Sequence, residues 1–466
     1  MPKASLYTTT NSAFSATNSL QGQLMQANLL CQDRLEATAR QYRLRQDRQQ
    51  ASTPTKTTTK QPSSVQIAAS FRDPQWKHVR SRSDIRVFRH AQRNNGVSTM
   101  MATGLLHGSL HDVMDGLYAE SSKELRVLHT LLSDRILDSA MLFVDEVRSQ
   151  AETYRFAGVQ WMVIKAPNTI GLCKDRDFCC YKQTGVFTDE HGNDVGFLVL
   201  QSMESVDQCA LTSKMDANGY IRGHISIACQ FRPLKDDLVE VFMHGDVDAK
   251  GKLPSRLAEA AFAETFLSIA NAFESGEAKK LSLLLSSPVE QRVPGGVHAA
   301  ILAKKLNDRC DLCTATATFW NPHDYCRGCY HRVCRRCRVD KPIFCAHYHR
   351  SHAATQRRRP CTETFCLECV CSVVDSSIQM NAKLMRQQQK RREHSQRSLR
   401  RERTGTASTE GSLFNVSSSA SSYTETPEKS EQAPPAPTQC PDFSAAKGAQ
   451  DRLNPQAYRW VHKQYQ

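Results

Sequence analysis

Four cysteine pairs with two intervening residues each stand within about sixty positions: Cys310 and Cys313, Cys326 and Cys329, Cys334 and Cys337, Cys366 and Cys369. That spacing lets both sulfurs of a pair reach one tetrahedral Zn2+ at about 2.3 Å. Four pairs therefore supply two structural zinc ions. The gap from Cys329 to Cys334 is too short for neighbouring pairs to serve one ion without crowding. Pairs one and three are expected to share one ion, and pairs two and four the other, as a cross-brace. So small a segment has little core of its own, so binding the metal would also fold it.

Eleven of the 18 cysteines fall between Cys310 and Cys371. Clustering of this kind fits metal thiolates in a reducing compartment better than a disulfide scaffold. Sites closed by four thiolates keep no coordination position for a substrate water. No nucleophile elbow, phosphate-cradling glycine loop or His-Glu-x-x-His motif accompanies them. The chain is therefore not expected to be an enzyme. Cys345, His347, His349, His352, Cys361 and Cys371 lie in the long loop before the last pair or just beyond it and read as a solvated insertion, with a third metal site as the alternative, since Cys and His at these spacings can chelate.

The elements around the cluster divide the chain. Residues 1–65 read as a disordered arm, rich in Ser, Thr and Gln, with a marginal helix over Gln21–Gln50. Residues 66–280 are globular. A helical pattern at Ser121–Leu142 is followed by strands at Gln160–Lys165, Phe178–Gln183, Phe197–Met203, Ile221–Phe231 and Leu238–Gly245, with turn signals between them. This spacing predicts an antiparallel meander, α+β in class, closed by a long amphipathic helix beginning at Pro254. The finger spans 296–375, a basic helix 376–403 and a disordered tail 404–466.

A formal charge of +14 and a pI near 9.1 favour an anionic partner. With no aromatic residues interleaved in the basic helix, nucleic acid is not expected. An anionic membrane gains about 1 kcal/mol per Lys or Arg brought close to it. The N-terminus offers no signal-peptide pattern, and no apolar run is long enough to span a bilayer. A cytoplasmic protein peripheral on membranes is the expectation, with protein partners as the competing class. Oligomeric state is left open.

The string Cys326-Arg-Gly-Cys329-Tyr-His-Arg-Val-Cys334-Arg-Arg-Cys337 resembles FYVE-type zinc fingers, which bind phosphatidylinositol 3-phosphate on endosomes. Arg327 and Arg332 stand where that family has headgroup-binding arginines. The chain departs from the family in lacking Trp-x-x-Asp before Cys310. It also reads Pro322-His323-Asp324-Tyr325 where the family has its Arg/His run. An alternative ligand order uses His331 in place of Cys326; it resembles RING fingers and would imply a protein-interaction module or ubiquitin ligase.

Residues 174–181, with Arg176-Asp177-Phe178, the strands that follow and the helix after Pro254, look like a START-type domain. Such chains are similar to a START-plus-FYVE family expanded in oomycetes. The resemblance implies a helix-grip fold around an apolar lipid tunnel. Its expected lining is Trp161, Val163, Phe197, Val199, Ile225, Ile227, Phe242, Phe262, Phe266 and Ile269, with Arg176 and Asp177 placed to meet a headgroup or each other.

Overall fold

Alternation along the strands decides the architecture. In the strand Phe156–Ile164, Met162 and Ile164 join one buried cluster, whereas Val159, Trp161 and Val163 join others. Side chains two apart share a face of a sheet, so both faces of this strand are covered. The computed structural model describes residues 20–51 (side chains of 20–48), 73–93, 96–167, 173–203, 219–235, 237–287, 308–345 and 360–375. The basic helix at 376–403, the tail, the residues before 20 and the His-rich loop lie outside the described residues.

The first helix is α1 (Leu20–Ala51). Strands β1 (Trp76–Arg82), β2 (Ile85–His90) and β3 (Ser98–His107) follow, then two short helices, α2 (Leu110–Gly116) and α3 (Ser122–Leu132). Strands β4 (Ile136–Glu146), β5 (Phe156–Ile164), β6 (Arg176–Thr188), β7 (Asp194–Ser202), β8 (Ile221–Arg222), β9 (His224–Pro233) and β10 (Leu238–Asp248) complete the sheet. Its order is β1-β2-β3-β10-β9-β7-β6-β5-β4, antiparallel between all these neighbours, with β8 parallel beside β6. Two helices, α4 (Ser255–Leu267) and α5 (Ala272–Ser286), are joined by a single 3-10 turn, Ser268–Asn271. They lie on the inner face, where Phe262, Phe266 and Ala272 meet Met100, Phe178, Ile227 and Val241. This is the expected helix grip: one sheet wrapped on a C-terminal helical segment.

Two expectations change. The helix predicted over Ser121–Leu142 stops at Leu132, and Ile136–Glu146 is a strand paired with β5. Ser121 caps that helix by accepting from the Glu124 N–H at 3.3 Å, and pairing with β5 overrides the helix propensity of Ala140, Met141 and Leu142. The arm's helix is not left to its own propensity. α1 lies along the outer face of the sheet, burying Ala27 and Cys31 against Val159, Val199 and Ala228, and Tyr42 against Phe88, Met101 and Phe242. Polar ties fix it: Arg34 to Asp246 at 2.6 Å and to the Ser226 hydroxyl at 2.9 Å, and the Tyr42 hydroxyl donating to Glu240 at 2.7 Å.

The finger is built from two short hairpins and a helix. Strand β11 (Asp324–Tyr325) pairs with β12 (Arg332–Val333), and β13 (Arg338–Ile343) with β14 (Cys361–Cys366). Helix α6 (Leu367–Asp375) follows directly. No helix among the described residues is long and apolar enough to cross a membrane.

Candidate functional site

The cysteines converge as two sets. Cys310, Cys313, Cys334 and Cys337 form one, and Cys326, Cys329, Cys366 and Cys369 the other, with the sulfurs of each set within 4.8 Å of one another. A tetrahedral ion with bonds near 2.3 Å separates its sulfurs by about 3.8 Å. The Cys313–Cys334 and Cys329–Cys366 sulfurs are 3.6 Å apart. Backbone N–H groups point at the sulfurs, from Cys334 to Cys310 at 3.4 Å, Gly328 to Cys326 at 3.3 Å and Cys369 to Cys366 at 3.4 Å. Such donors favour thiolate over thiol. Each set thus fits a divalent metal ion of the zinc class, paired one-three and two-four as the spacing implied. The RING-like ligand order does not match this arrangement: Cys326 is in the second set, and His331 lies beside Cys329 without joining it.

Neither headgroup arginine stands alone. Arg327 pairs with Glu363 at 3.1 Å and Arg332 with Asp308 at 3.3 Å. Asp311 also accepts from the Arg332 backbone N–H at 2.7 Å. These carboxylates compete for the charge an anionic headgroup would use. Outside the arginine motif, Phe319 and Trp320 are 88% and 85% exposed with ring centroids 5.2 Å apart. Their loop is tied to the exposed Arg335-Arg336 turn by a bond from the Arg335 N–H to Asn321 at 3.2 Å. Two adjacent aromatics in an otherwise polar loop were the available signal.

The expected tunnel lining divides between the two sides of the sheet. Ile225, Ile227, Phe262, Phe266 and Ile269 share the inner core. Trp161 and Val163 face outward with Ala140, Val199 and Phe197 face α1, and Phe242 packs on Tyr42. The tunnel lining is corrected accordingly, because the period of two sends odd and even positions of one strand to opposite faces. Asp177 also faces outward, accepting from Trp161 Nε1 at 3.0 Å and pairing with Arg222 at 2.7 Å rather than with Arg176. Arg176 is buried and donates to the carbonyls of Lys174, Ala249 and Lys250.

Among the described residues, the inner face offers little free space under α4, and the sequence leaves open whether the tunnel is open or filled. Under α4, between Ile164, Arg176, Phe178, Leu253 and Phe262, the cavity measures about 20 Å³, close to the room for one water. A larger cleft of about 570 Å³ lies at the opposite end of β6, bordered by Ser109, His111, Tyr154, Val186, Asp194 and Leu234.

Beneath α5 the interior is charged. Asp115 pairs with Arg148 at 2.6 Å, and Lys280 pairs with Asp112. Lys279 donates to the Asp115 and Tyr118 carbonyls, and Lys182 to the Leu117 carbonyl at 2.8 Å. Burial, and secondarily Lys279, pushes Lys182 down to about 7. Burial lowers Lys279 to about 8 against the opposing pull of Asp115. Buried His129, near Lys182, falls to about 3.

No family model matches the chain, and no curated protein matches it. Among solved structures, it is similar to human StAR-related lipid transfer protein 5 at 15% identity and a TM-score of 0.33, covering 46% of this chain and 95% of that one. The lipid transfer and protein localization domain of human StarD13 gives 14% identity, a TM-score of 0.30, and coverage of 46% and 93%. A fragment of a STAR-related lipid transfer protein from Xanthomonas axonopodis gives 13%, 0.30, and 42% and 98%. The helix-grip description rests on the strand order and helix packing above, not on these likenesses.

Proposed function

We propose that this chain is a peripheral, non-enzymatic lipid-binding protein whose finger, holding two zinc ions, docks on anionic membrane while the helix-grip domain takes up one lipid. The observation that carries the reading is the Phe319–Trp320 pair, almost fully exposed beside Arg335 and Arg336. Aromatic rings next to cations suit the boundary between headgroups and acyl chains. The inner apolar face offers Ile225, Ile227, Phe262 and Phe266 to a lipid tail once α4 gives way. Phosphatidylinositol 3-phosphate on endosomal membrane is the finer ligand implied by the FYVE resemblance, and Arg332 would have to exchange Asp308 for phosphate to bind it.

The test is vesicle flotation of the full, zinc-loaded chain. Vesicles of phosphatidylcholine alone, with phosphatidylserine, and with phosphatidylinositol 3-phosphate are compared. Binding to anionic vesicles should fall at least tenfold in Phe319→Ala/Trp320→Ala. Arg332→Ala should remove only a preference for the phosphoinositide. Equal flotation of parent and double variant would reject docking through the aromatic tip and turn the search to protein partners.

A further inference from the structure

The finger shares an interior with the domain before it. Lys341, on β13, and Glu277, on α5, form an ion pair at 2.8 Å in which both side chains are only 2% exposed. The Phe344 N–H donates to the Ala278 carbonyl at 3.2 Å. The ring of Phe344 lies 5.0 Å from the Lys279 ammonium and packs on the main core. At the other end of the contact, Leu284 reaches the backbone of the Cys326–Cys329 knuckle. A Cβ on Gly328 would stand 3.0 Å from the Leu284 methyl and 2.9 Å from the Cys369 sulfur.

On its opposite side α5 is held as firmly by α2. Lys280 pairs with Asp112, and a Cβ on Gly276 would stand 2.4 Å from the Asp112 carbonyl oxygen. α5 is thus gripped on both sides. α4, across the Ser268–Asn271 turn, instead meets the sheet edge through Glu259 with Arg89 and Arg93, and Glu264 with Arg80 and Arg82.

We propose that the second metal centre, Cys326/Cys329/Cys366/Cys369, is a structural part of the helix-grip domain. By ordering the finger it clamps α5 through Lys341–Glu277 and Leu284. The finger is then not a tethered module, and losing its metal loosens the domain's closing helix. The inference concerns the apo-to-metal coupling and holds whichever ligand the domain takes. It follows from the general cost of exposing or orphaning a buried ion pair and from the dependence of small cysteine fingers on their metal for folding.

Hydrogen exchange of the full chain tests this, with zinc loaded and after a strong chelator. Peptides over 272–286 are compared with peptides over the finger. Chelation should speed exchange in 272–286 at least tenfold, along with 308–375. Faster exchange confined to 308–375 would overturn the proposal.

Lys341→Met, still holding two zinc equivalents, orphans Glu277 and should raise exchange in 272–286 about 100-fold. Unchanged protection there would also overturn it. Should that variant fail to fold, Lys341→Met/Glu277→Leu replaces the pair by apolar groups of similar size. In it chelation must still loosen 272–286, because the Leu284 and Phe344 contacts remain. An α5 indifferent to chelation in the double variant would refute the clamp.

Discussion

Phe262→Ala asks whether the inner face can be made into a lipid site. Phe262 is 5% exposed and meets Phe178 edge to face at 5.9 Å, and the neighbouring free space is about 20 Å³. With so little slack the truncation leaves a hole that neighbours cannot fill, so the expected cost is that of a core Phe→Ala, about 3–5 kcal/mol. The same hole connects to the existing cavity and gives room for part of an acyl chain. Four buried methylenes at about 0.8 kcal/mol each return about 3 kcal/mol. Urea unfolding of parent and variant, with and without a saturating fluorescent fatty acid, measures both quantities. The variant should be less stable alone and should recover most of the loss with the probe, whereas the parent should gain less. A loss below about 1 kcal/mol would mean that Phe262 is not the packed residue described. A full loss with no recovery would mean that the inner face is a core and not a latent lipid site.

Trp161→Phe should cost about 1 kcal/mol through the lost bond to Asp177 and leave lipid binding unchanged, since Trp161 faces outward; altered binding would place it in the cavity after all. The parent chain should bind two equivalents of zinc by elemental analysis, Cys326→Ser should bind fewer, and His331→Ala should still bind two. Retention of both ions by Cys326→Ser would revive the ligand set that uses His331. Burial lowers His129 from 6.5 to about 3, so the unfolded chain gains a proton there that the folded chain refuses. Stability should therefore fall as pH drops from about 6.5 toward 3, by up to about 1.4 kcal/mol per unit, and unfolding of His129→Gln followed across that range should have a shallower slope. Arg34→Ala should weaken the outer-face helix by about 1 kcal/mol, seen as faster exchange in 20–48 with the sheet unaffected.

The cross-brace was legible because metal ligation constrains sequence spacing directly: Cys310 to Cys369 could be paired without knowing the fold. The meander and its closing helix were legible from turn signals and from the apolar spacing after Pro254. The face assignment was not, because β5 and β7 are almost continuously apolar and buried on both sides, and in β9, where Ile225, Ile227, Cys229 and Phe231 alternate with Ser226 and Gln230, the polar face is buried too. Trp161 and Met162 look alike in sequence, and only a covered outer face separates them. That cover, α1, was itself obscure. Its contacts are largely polar, Arg34, Thr38, Tyr42 and Arg45 reaching Asp246, His244, Glu240 and Thr103, so no broad apolar stripe marks the helix. Nothing in the sequence marks Lys279, Lys280 and Lys341 as interior, yet each is no more than 3% exposed, their cost met by partners distant in sequence.

The interior under the closing helices therefore has two unlike halves, and this limits where a lipid could enter. Beneath α5, Lys182, Lys279, Lys280 and Arg148 face Asp112 and Asp115, all buried. Moving α5 away would break Lys280–Asp112 and strip Lys279 of its two carbonyls, and leaving such charges without partners costs several kcal/mol each. Beneath α4, Phe262 packs on Phe178 and Ile164, and separating these costs hydration of apolar surface that an acyl chain would cover again. Of the α4 carboxylates, Glu264 meets Arg80 and Arg82 at the rim, where these arginines are 49% and 44% exposed and exchange with water is cheap, whereas Glu259 is buried and held by Arg89, Arg93 and the Ser98 hydroxyl. Opening at the α5 end strands several buried charges and opening at the α4 end strands one, Glu259, and the finger's hold on α5 adds to that difference.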